Sequence, residues 1–312
     1  MNIKRLGAAF AAAAITVSAV TVTAFAAGTR VPINEKYFPD EIFREYVSQF
    51  DTDGNGSLSQ KERDAVTEIG VSEMEIKSLA GVSYFQNLEK LDCMGNELTR
   101  LNISKNTKLE KLDCSSNELT RLNVSKNTKL KELYCGENKI AKLNISKNTQ
   151  LKRFACYINE IKSLDVSKNT KLEYLDCCSN KLESIDVSRN AVLEYLDCFD
   201  NKLTELDISK NEKLEHLCCN MNKLTRLDLS GNKMLKSLSC SYNEIAEIDV
   251  SKNTELFSFD CTSNKLTSLD TRKNAKLEWL WCDGNEITSL NINKNTKLND
   301  YGDHADNEVV VP

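Results

Sequence analysis

The residues best suited to chemistry in this chain are its cysteines. They return every 21 residues, at Cys93, Cys114, Cys135, Cys156, Cys177, Cys198, Cys219, Cys240, Cys261 and Cys282. Thiols on so strict a period suit a disulfide ladder, a row of soft-metal ligands, or repeated packing of a small apolar group. Two more cysteines break the period: Cys178 follows Cys177, and Cys218 precedes Cys219. His216 lies two residues before Cys218, and Asp197 falls one period before Cys218. Together His216, Cys218 and Asp197 could touch zinc or form a reactive dyad.

A second chemical pattern is "DTDGNGSLSQKE", residues 51–62. Its spacing is that of a twelve-residue calcium loop, and it resembles the EF-hand. Asp51, Asp53 and Asn55 supply oxygens at positions 1, 3 and 5. Gly56 permits the sharp turn, and Ser57 offers its carbonyl. Ser59 would hold a water, and Glu62 would close the shell with both carboxylate oxygens. One calcium ion is therefore expected. Only one such loop exists, and strand-like sequence resumes by Thr67, so the ion is expected to pin a structural cap and not to drive a sensor. A solvated acidic turn that binds weakly is the other reading. The preceding "FPDEIFREYVSQF" (38–50) reads as a helix, with Ile42, Phe43, Tyr46, Val47 and Phe50 on one face.

The elements that must position these groups come from a repeat. From Leu88 to Lys297 ten 21-residue units follow one another without insertion, on the pattern LxxLxCxxNxLTxLxVSxNxx. Each unit divides into two similar halves, as in "LEKLDCMGN" (88–96) and "LTRLNISKN" (98–106). In each half apolar residues stand two apart, Leu91 with Cys93 and Leu101 with Ile103, which is strand-like alternation. Each half then turns at an asparagine. Such a coil cannot bury its apolar side alone, but stacked coils can. The expectation is a mainly β solenoid of about ten coils with two parallel β-sheets, a rod roughly 50 Å long. A small helical cap precedes it. Val66, Ile69 and Val71 read as inward residues of a further half-repeat ahead of the first full unit.

LxxLxLxxN resembles the signature of leucine-rich repeats, and the nested 21-residue form resembles the bacterial class sometimes called IRREKO. "IKSLAGVSYFQNLEKL" (76–91) is similar to the opening repeat of internalin-type bacterial surface proteins. The resemblance covers about residues 66–303. It implies a rigid display scaffold on a bacterial surface. The cysteine departs from the family pattern, which usually has an aliphatic residue there.

The half-repeats also decide among the readings of the cysteine series. The slot matching Cys93 in the other half holds Ile103, Val124, Ile145, Val166, Val187, Ile208 and Leu229. That slot wants an apolar residue, so the ten are expected to be buried, unreactive thiols. Stacked strands do bring equivalent Cα atoms within disulfide range. Their parallel side chains, however, leave the Cβ atoms farther apart than a disulfide prefers.

Outward slots vary along the rod. One series reads Lys90, Lys111, Glu132, Arg153, Tyr174, Tyr195, His216, Ser237, Ser258, Trp279. Tyr174, Tyr195 and His216 should stack on consecutive coils, with Tyr157 and Phe199 nearby; Trp279 and Trp281 form a second cluster. Exposed aromatics on a rigid sheet suit a protein or glycan ligand. On the opposite side Asp165, Asp186, Asp207, Asp228, Asp249 and Asp270 form an acidic row beside Lys168, Arg189, Lys210, Lys252 and Lys273. That row reads as a solvated structural face.

The first residues, with Lys4 and Arg5 before an apolar run and "AFA" at Ala24–Ala26, read as a secretory signal peptide. The expected division is 1–26 signal peptide, 27–65 helical cap, 66–303 solenoid and 304–312 C-terminal tail, with Asp303 in the last cysteine slot. A net charge of −5 gives no electrostatic case for nucleic acid. No other stretch suits a membrane span. With two histidines and no nucleophile elbow, phosphate-binding glycine loop or HExxH, the chain does not read as an enzyme. It reads as a secreted or surface-attached scaffold binding an extracellular protein or glycan. The rival readings are a passive spacer or surface-layer component, and a metal or thiol site at His216 and Cys218.

Overall fold

The computed structural model describes residues 30–292, 294–299 and 308–310. The expected leader at 1–26 and Asp303 lie outside the described residues. The described residues open with β1 (Val31–Pro32), α1 (Glu41–Ser48), β2 (Ser57–Leu58) and α2 (Gln60–Ala65). Asp40 starts α1: its Oδ1 accepts from the Phe43 N–H at 3.0 Å. Its Oδ2 accepts from the N–H groups of Lys77 (2.8 Å) and Ser78 (3.1 Å), so one carboxylate caps the helix and ties it to the first repeat. Phe43 and Val47 face inward from α1. Phe38, Phe43, Phe50 and Phe85 pack ring on ring, with centroids 5.6–6.4 Å apart. This aromatic knot joins the cap to the solenoid as one core.

The solenoid then lays down one three-residue strand per coil. β3 (Glu68–Gly70) comes first, with Ile69 buried as its alternation predicts. There follow β4 (Lys90–Asp92), β5 (Lys111–Asp113), β6 (Glu132–Tyr134), β7 (Arg153–Ala155), β8 (Tyr174–Asp176) and β9 (Tyr195–Asp197). β10 (His216–Cys218), β11 (Ser237–Ser239), β12 (Ser258–Asp260) and β13 (Trp279–Trp281) complete the series. All eleven form one parallel sheet in chain order, each strand in register with the equivalent residues of the next.

The expected second parallel sheet does not form along the rod. In the second half of each coil the main chain makes a single bond to its neighbour, as in Glu118 N–H to the Leu98 carbonyl at 3.0 Å and Lys139 N–H to Leu119 at 2.8 Å. The reason is local. The second half closes in turns, with the Asn106 N–H on the Ile103 carbonyl (3.0 Å) and the Leu109 N–H on the Asn106 carbonyl (3.2 Å), so main-chain groups are used within the coil and not in a ladder. Among the described residues one second-half segment, near the C-terminal end, pairs as a strand: β14 (Ser289–Asn291) with β15 (Glu308–Val310).

Two asparagine rows close the coils differently. In the first, Asn117 Nδ2 donates to the carbonyls of Cys93, Cys114 and Ser115, while its Oδ1 accepts from Leu98 N–H at 3.0 Å. The residue before each of these asparagines takes a left-handed φ, from 47° at Ile158 to 66° at Gly95. In the second row Asn127 Nδ2 donates to Ile103 and Asn106 carbonyls, but its Oδ1 is buried without a partner.

The ten periodic cysteines point inward and are buried, and all twelve thiols are free. Several donate to a carbonyl of the next coil: Cys93 to Asp113 (3.3 Å), Cys177 to Asp197 (3.3 Å), Cys198 to Cys218 (3.4 Å). Burial pushes their thiols up, that of Cys135 to about 12. They are packing groups and not nucleophiles.

Candidate functional site

The sheet's outer face is made by the first and third residues of each strand, because the middle residue and the following cysteine point inward. Strand register therefore stacks equivalent outward residues. Tyr174 and Tyr195 are paired residues of β8 and β9, and their rings stack at 4.4 Å with planes 10° apart. The His216 ring lies 6.1 Å beyond Tyr195, tilted by 39°. On the preceding coil the Arg153 guanidinium lies 4.4 Å over the Tyr174 ring. Arg153 Nε donates to the Tyr134 hydroxyl at 3.1 Å, and Lys111 sits 5.5 Å over the Tyr134 ring. One continuous run, Lys111, Tyr134, Arg153, Tyr174, Tyr195 and His216, thus crosses six coils.

Tyr157 reaches back over Gly136: a Cβ on that glycine would meet the Tyr157 ring at 2.5 Å. A larger residue there would have to push the ring aside, while the backbone conformation does not itself call for glycine. Phe199 is half-buried, and its N–H donates to Asp197 Oδ1 at 2.9 Å. Trp279 and Trp281 stack with centroids 6.0 Å apart at 12°, but Ser237 and Ser258 separate them from His216. The expected ligand residues thus form two patches. Tyr134 and Asp176 belong to the larger one and did not stand out in the sequence. Tabulating the third strand slot as well as the first would have found them.

Between the tyrosines and Phe199 lies a carboxylate row. Asp176 pairs with Asp197 across β8 and β9, and Cys218 follows on β10. Burial pushes both carboxyls above their ordinary range, and Asp176 adds its charge against Asp197. The Cys178 backbone N–H donates to Asp176 Oδ1 at 3.1 Å. Donor atoms of Asp176, Cys178 and Asp197 all lie within 4.8 Å of one another. The set expected at His216 and Cys218 does not converge: His216 stacks with the tyrosines, while the Cys218 thiol bonds Asp197. Strand alternation explains this, because residues 216 and 218 occupy different rows of the same face.

The second converging set is in the cap. Asp51, Asp53 and Glu62 bring carboxylate oxygens within 4.8 Å of one another. Gly54 and Gly56 take φ of 67° and 78°, which the tight loop demands. Asp51 Oδ2 accepts from the Gly56 N–H at 2.6 Å, and Asn55 donates to Asp53. β2, which contains Ser57, pairs antiparallel with β1, which braces the loop. Ser59, at loop position 9, also begins the exit helix. It is the N-cap of α2 and forms a capping box with Glu62. Burial opposes the Glu62 charge, but it is outweighed. The Ser59 N–H (2.8 Å) and Oγ (2.7 Å) and the Thr52 N–H (2.7 Å) and Oγ (2.8 Å) all donate to the carboxylate, holding it at about 2. Glu62 is thereby fixed as an anion facing Asp51 and Asp53. Ionised carboxylate, carbonyl and amide oxygens are the hard donors a calcium ion takes.

The acidic row of the opposite side is a set of turn acceptors. Hydrogen bonds from the serine two residues on lower the carboxyls of Asp165, Asp186, Asp207, Asp228 and Asp249, and Arg272 lowers that of Asp270 to about 2. That agrees with a solvated structural face.

Among the described residues no helix is long and apolar enough to cross a membrane. No family model and no curated protein matches the chain. Solved structures do. The functional domain of InlJ from Listeria monocytogenes, which includes a cysteine ladder, is 33% identical over 88% of this chain, with a TM-score of 0.75. This chain spans 66% of that domain, just under two thirds of its length. The internalin InlF from Listeria monocytogenes 4b F2365 shares the fold, with a TM-score of 0.79 at 23% identity, over 90% of this chain and 86% of that one. YopM from Yersinia enterocolitica WA-314 is 26% identical over 65% of this chain and 44% of its own, with a TM-score of 0.53.

Proposed function

We propose that this chain, an internalin-like bacterial leucine-rich-repeat protein with a cysteine ladder, is a secreted or cell-surface scaffold that binds an extracellular protein through the outer face of its sheet. The fold is that of a non-enzymatic binding family, and the absence of catalytic motifs in the sequence agrees with it. The observation that carries the reading is the Arg153–Tyr174–Tyr195–His216 run. Tyrosine and arginine dominate protein hot spots. Here their side chains are held by one another before any ligand arrives, which lowers the ordering cost of binding. The same stacking favours protein over glycan. Tyr174 has Arg153 over its ring on one neighbouring coil and Tyr195 on the other, so little ring face is left for a sugar.

The cap supports this role mechanically. We infer that Asp51, Asp53, Asn55, the Ser57 carbonyl and Glu62 hold one calcium ion, fixing the cap on the first coil. Three converging carboxylates and the glycine turn support that reading. The expected leader and the kinship to internalins support export.

The test is a binding screen of the full chain against extracellular proteins and glycans, followed by Tyr174→Ala, Tyr195→Ala and Trp279→Ala on the partner found. Loss of binding by about tenfold or more at the tyrosines is the expected result. Unchanged affinity in all three would clear the outer face, and a partner found only among glycans would overturn the protein reading.

A further inference from the structure

We propose that the second half-repeats of the first three 21-residue coils form a docking surface for a linear anionic polysaccharide. The surface shares no residue with the tyrosine run or the calcium loop, and it does not depend on the protein-binding reading. It is made by residues 98–108, 119–129 and 140–150. These stretches carry eight lysines and arginines and no aspartate or glutamate. Arg100, Arg121 and Lys142 fall in one column, and Lys105, Lys126 and Lys147 in a second. Lys108 and Lys129 lie beyond them, and all eight cations are exposed. Equivalent residues of stacked coils stand about 4.8 Å apart, so like charges line up along the rod.

Three features separate this surface from an ordinary charged face. First, its charge is not offset. Among the described residues none of the eight cations forms an ion pair. The carboxylates at its borders are already taken: Glu97 by Lys77, Glu110 by Lys131 and Glu118 by Lys139. Like charges directly opposite one another are unfavourable, and nothing in the fold requires them here. Second, the slot between the two columns is neutral although the turn permits an anion. Asn102, Asn123 and Asn144 accept the N–H two residues on at 3.2, 3.0 and 3.0 Å. Asp165, Asp186 and Asp207 make the same bond at 2.9 Å. The turn needs only the oxygen, which either residue supplies. Asparagine removes three negative charges and leaves three exposed amide nitrogens that donate to nothing among the described residues. Third, the surface is indented. Asn123 and Ser125 of one coil and Lys142, Asn144, Ser146 and Lys147 of the next line a shallow cleft of about 450 Å³.

The later coils supply an internal comparison. The matching stretches of the next six coils, from 161–171 to 266–276, carry 12 basic and 11 acidic residues. The repeat is the same, yet its charge is balanced there, so the excess over the first three coils is not a by-product of the fold. The whole chain carries −5, and a polyanion is therefore drawn to this surface and repelled elsewhere. Clustered lysine and arginine of this kind suit heparin-like chains or nucleic acid. The surroundings favour the former. No aromatic side chain lies on the three stretches, so no nucleic-acid base has a ring to stack on. Ala141 is their one exposed apolar residue, so nothing enters a bilayer. A chain of charged sugars needs neither: the cations meet its acid groups, and the free amide donors meet its hydroxyls.

The experiment follows the anisotropy of labelled heparin and labelled polygalacturonate as the full chain is added. At least one should bind saturably and weaken by about tenfold or more between about 50 and 200 mM salt. The triple variant Asn102→Asp, Asn123→Asp, Asn144→Asp keeps the turn bond, so it should melt as the parent does and bind about tenfold or more weakly. Lys252→Gln with Lys273→Gln, on the balanced coils, should leave affinity unchanged, as should Tyr174→Ala on the other face. No binding of either polysaccharide at about 50 mM salt would overturn the surface, as would undiminished binding in the triple variant. A loss in Lys252→Gln with Lys273→Gln, or in Tyr174→Ala, equal to that in the triple variant would also overturn it. Tighter binding to a DNA duplex or to phosphatidylglycerol vesicles than to both polysaccharides would refute the choice of partner. If the triple variant does not fold, Arg121→Gln with Lys142→Gln decides, and unchanged affinity there refutes the surface.

Discussion

The Thr271 hydroxyl donates to Oδ1 of Asn295, one coil further on, at 2.8 Å. The nine earlier members of that asparagine row, Asn106 to Asn274, have the same oxygen buried and without a partner. In their case the residue 24 positions earlier is Ile, Val or Leu in place of Thr. A buried acceptor left unmade costs about 1–3 kcal/mol. Val250→Thr should supply a donor to Asn274 Oδ1 and stabilise the protein by up to about 1 kcal/mol, after the lost apolar contact is counted. Thr271→Val should cost about 1–2 kcal/mol. Urea denaturation measures both. A loss above about 1 kcal/mol in Val250→Thr would show that the oxygen needs no donor.

Ile158 sits at φ 47° with half its surface exposed, in the column where Gly95 and Gly284 take φ 66° and 63°. A β-branched residue is strained in that region, and its side chain contributes little burial here. Ile158→Gly should raise stability by about 0.5–1 kcal/mol despite the greater freedom of the unfolded chain. Met221→Gly, unbranched and at φ 51°, should give less. Equal or opposite shifts in melting temperature would contradict the strain argument.

Calcium should raise the melting temperature of the full chain above its value in chelator. At a Kd near 10⁻⁴ M, ten millimolar calcium is worth about 2.7 kcal/mol. Asp51→Asn should abolish most of that shift. Ser59→Ala should retain the shift but lower the calcium-free baseline by about 1 kcal/mol, because it breaks the capping box and no ligand. Identical melting in calcium and chelator would remove the structural-ion proposal.

Acid should destabilise the fold progressively. Glu62 and Asp270 are both held at about 2, below ordinary values of 4.5 and 3.8, and the other turn aspartates are lowered too. A depressed folded pKa gives stability that is present above the unfolded value and lost as pH falls toward the folded one. Asp176 and Asp197 work the other way, since burial raises them, but with Glu244 lowered by Lys265 they are two against eight. The urea midpoint should therefore fall between pH 4.5 and about 2, and Glu62→Gln should flatten part of the fall. A midpoint independent of pH over that window would rule the linkage out.

How far the sequence could be read depended on whether a residue's role repeats. Leu91, Cys93 and Asn96 recur on one period, so each copy reports on the others, and their inward places were legible. The cysteine could be recognised as packing because Ile103 and Val124 fill its counterpart slot. The half-repeat likeness misled in one respect. It made "LTRLNISKN" look like a second strand, while its main chain closes in turns within the coil, as in the Asn106 N–H on the Ile103 carbonyl. Ser59 was legible only in part: the loop template gives position 9 its place in the loop, and the structure adds its capping of the helix that begins there.

The sequence by itself determined the coil length, the inward and outward slots, the order of side chains along the rod and the oxygen spacing of the cap loop. All of these follow from periodicity and local turn chemistry, which act within about 20 residues. Only the tertiary structure decided that one sheet forms and not two. It also brought Asp176, Cys178 and Asp197 together, left the second asparagine row short of donors and placed Arg153 on Tyr174. Those outcomes depend on how main-chain donors divide between a coil's own turns and its neighbours, and on which side chains meet once coils stack, and the order of residues in one coil does not fix either.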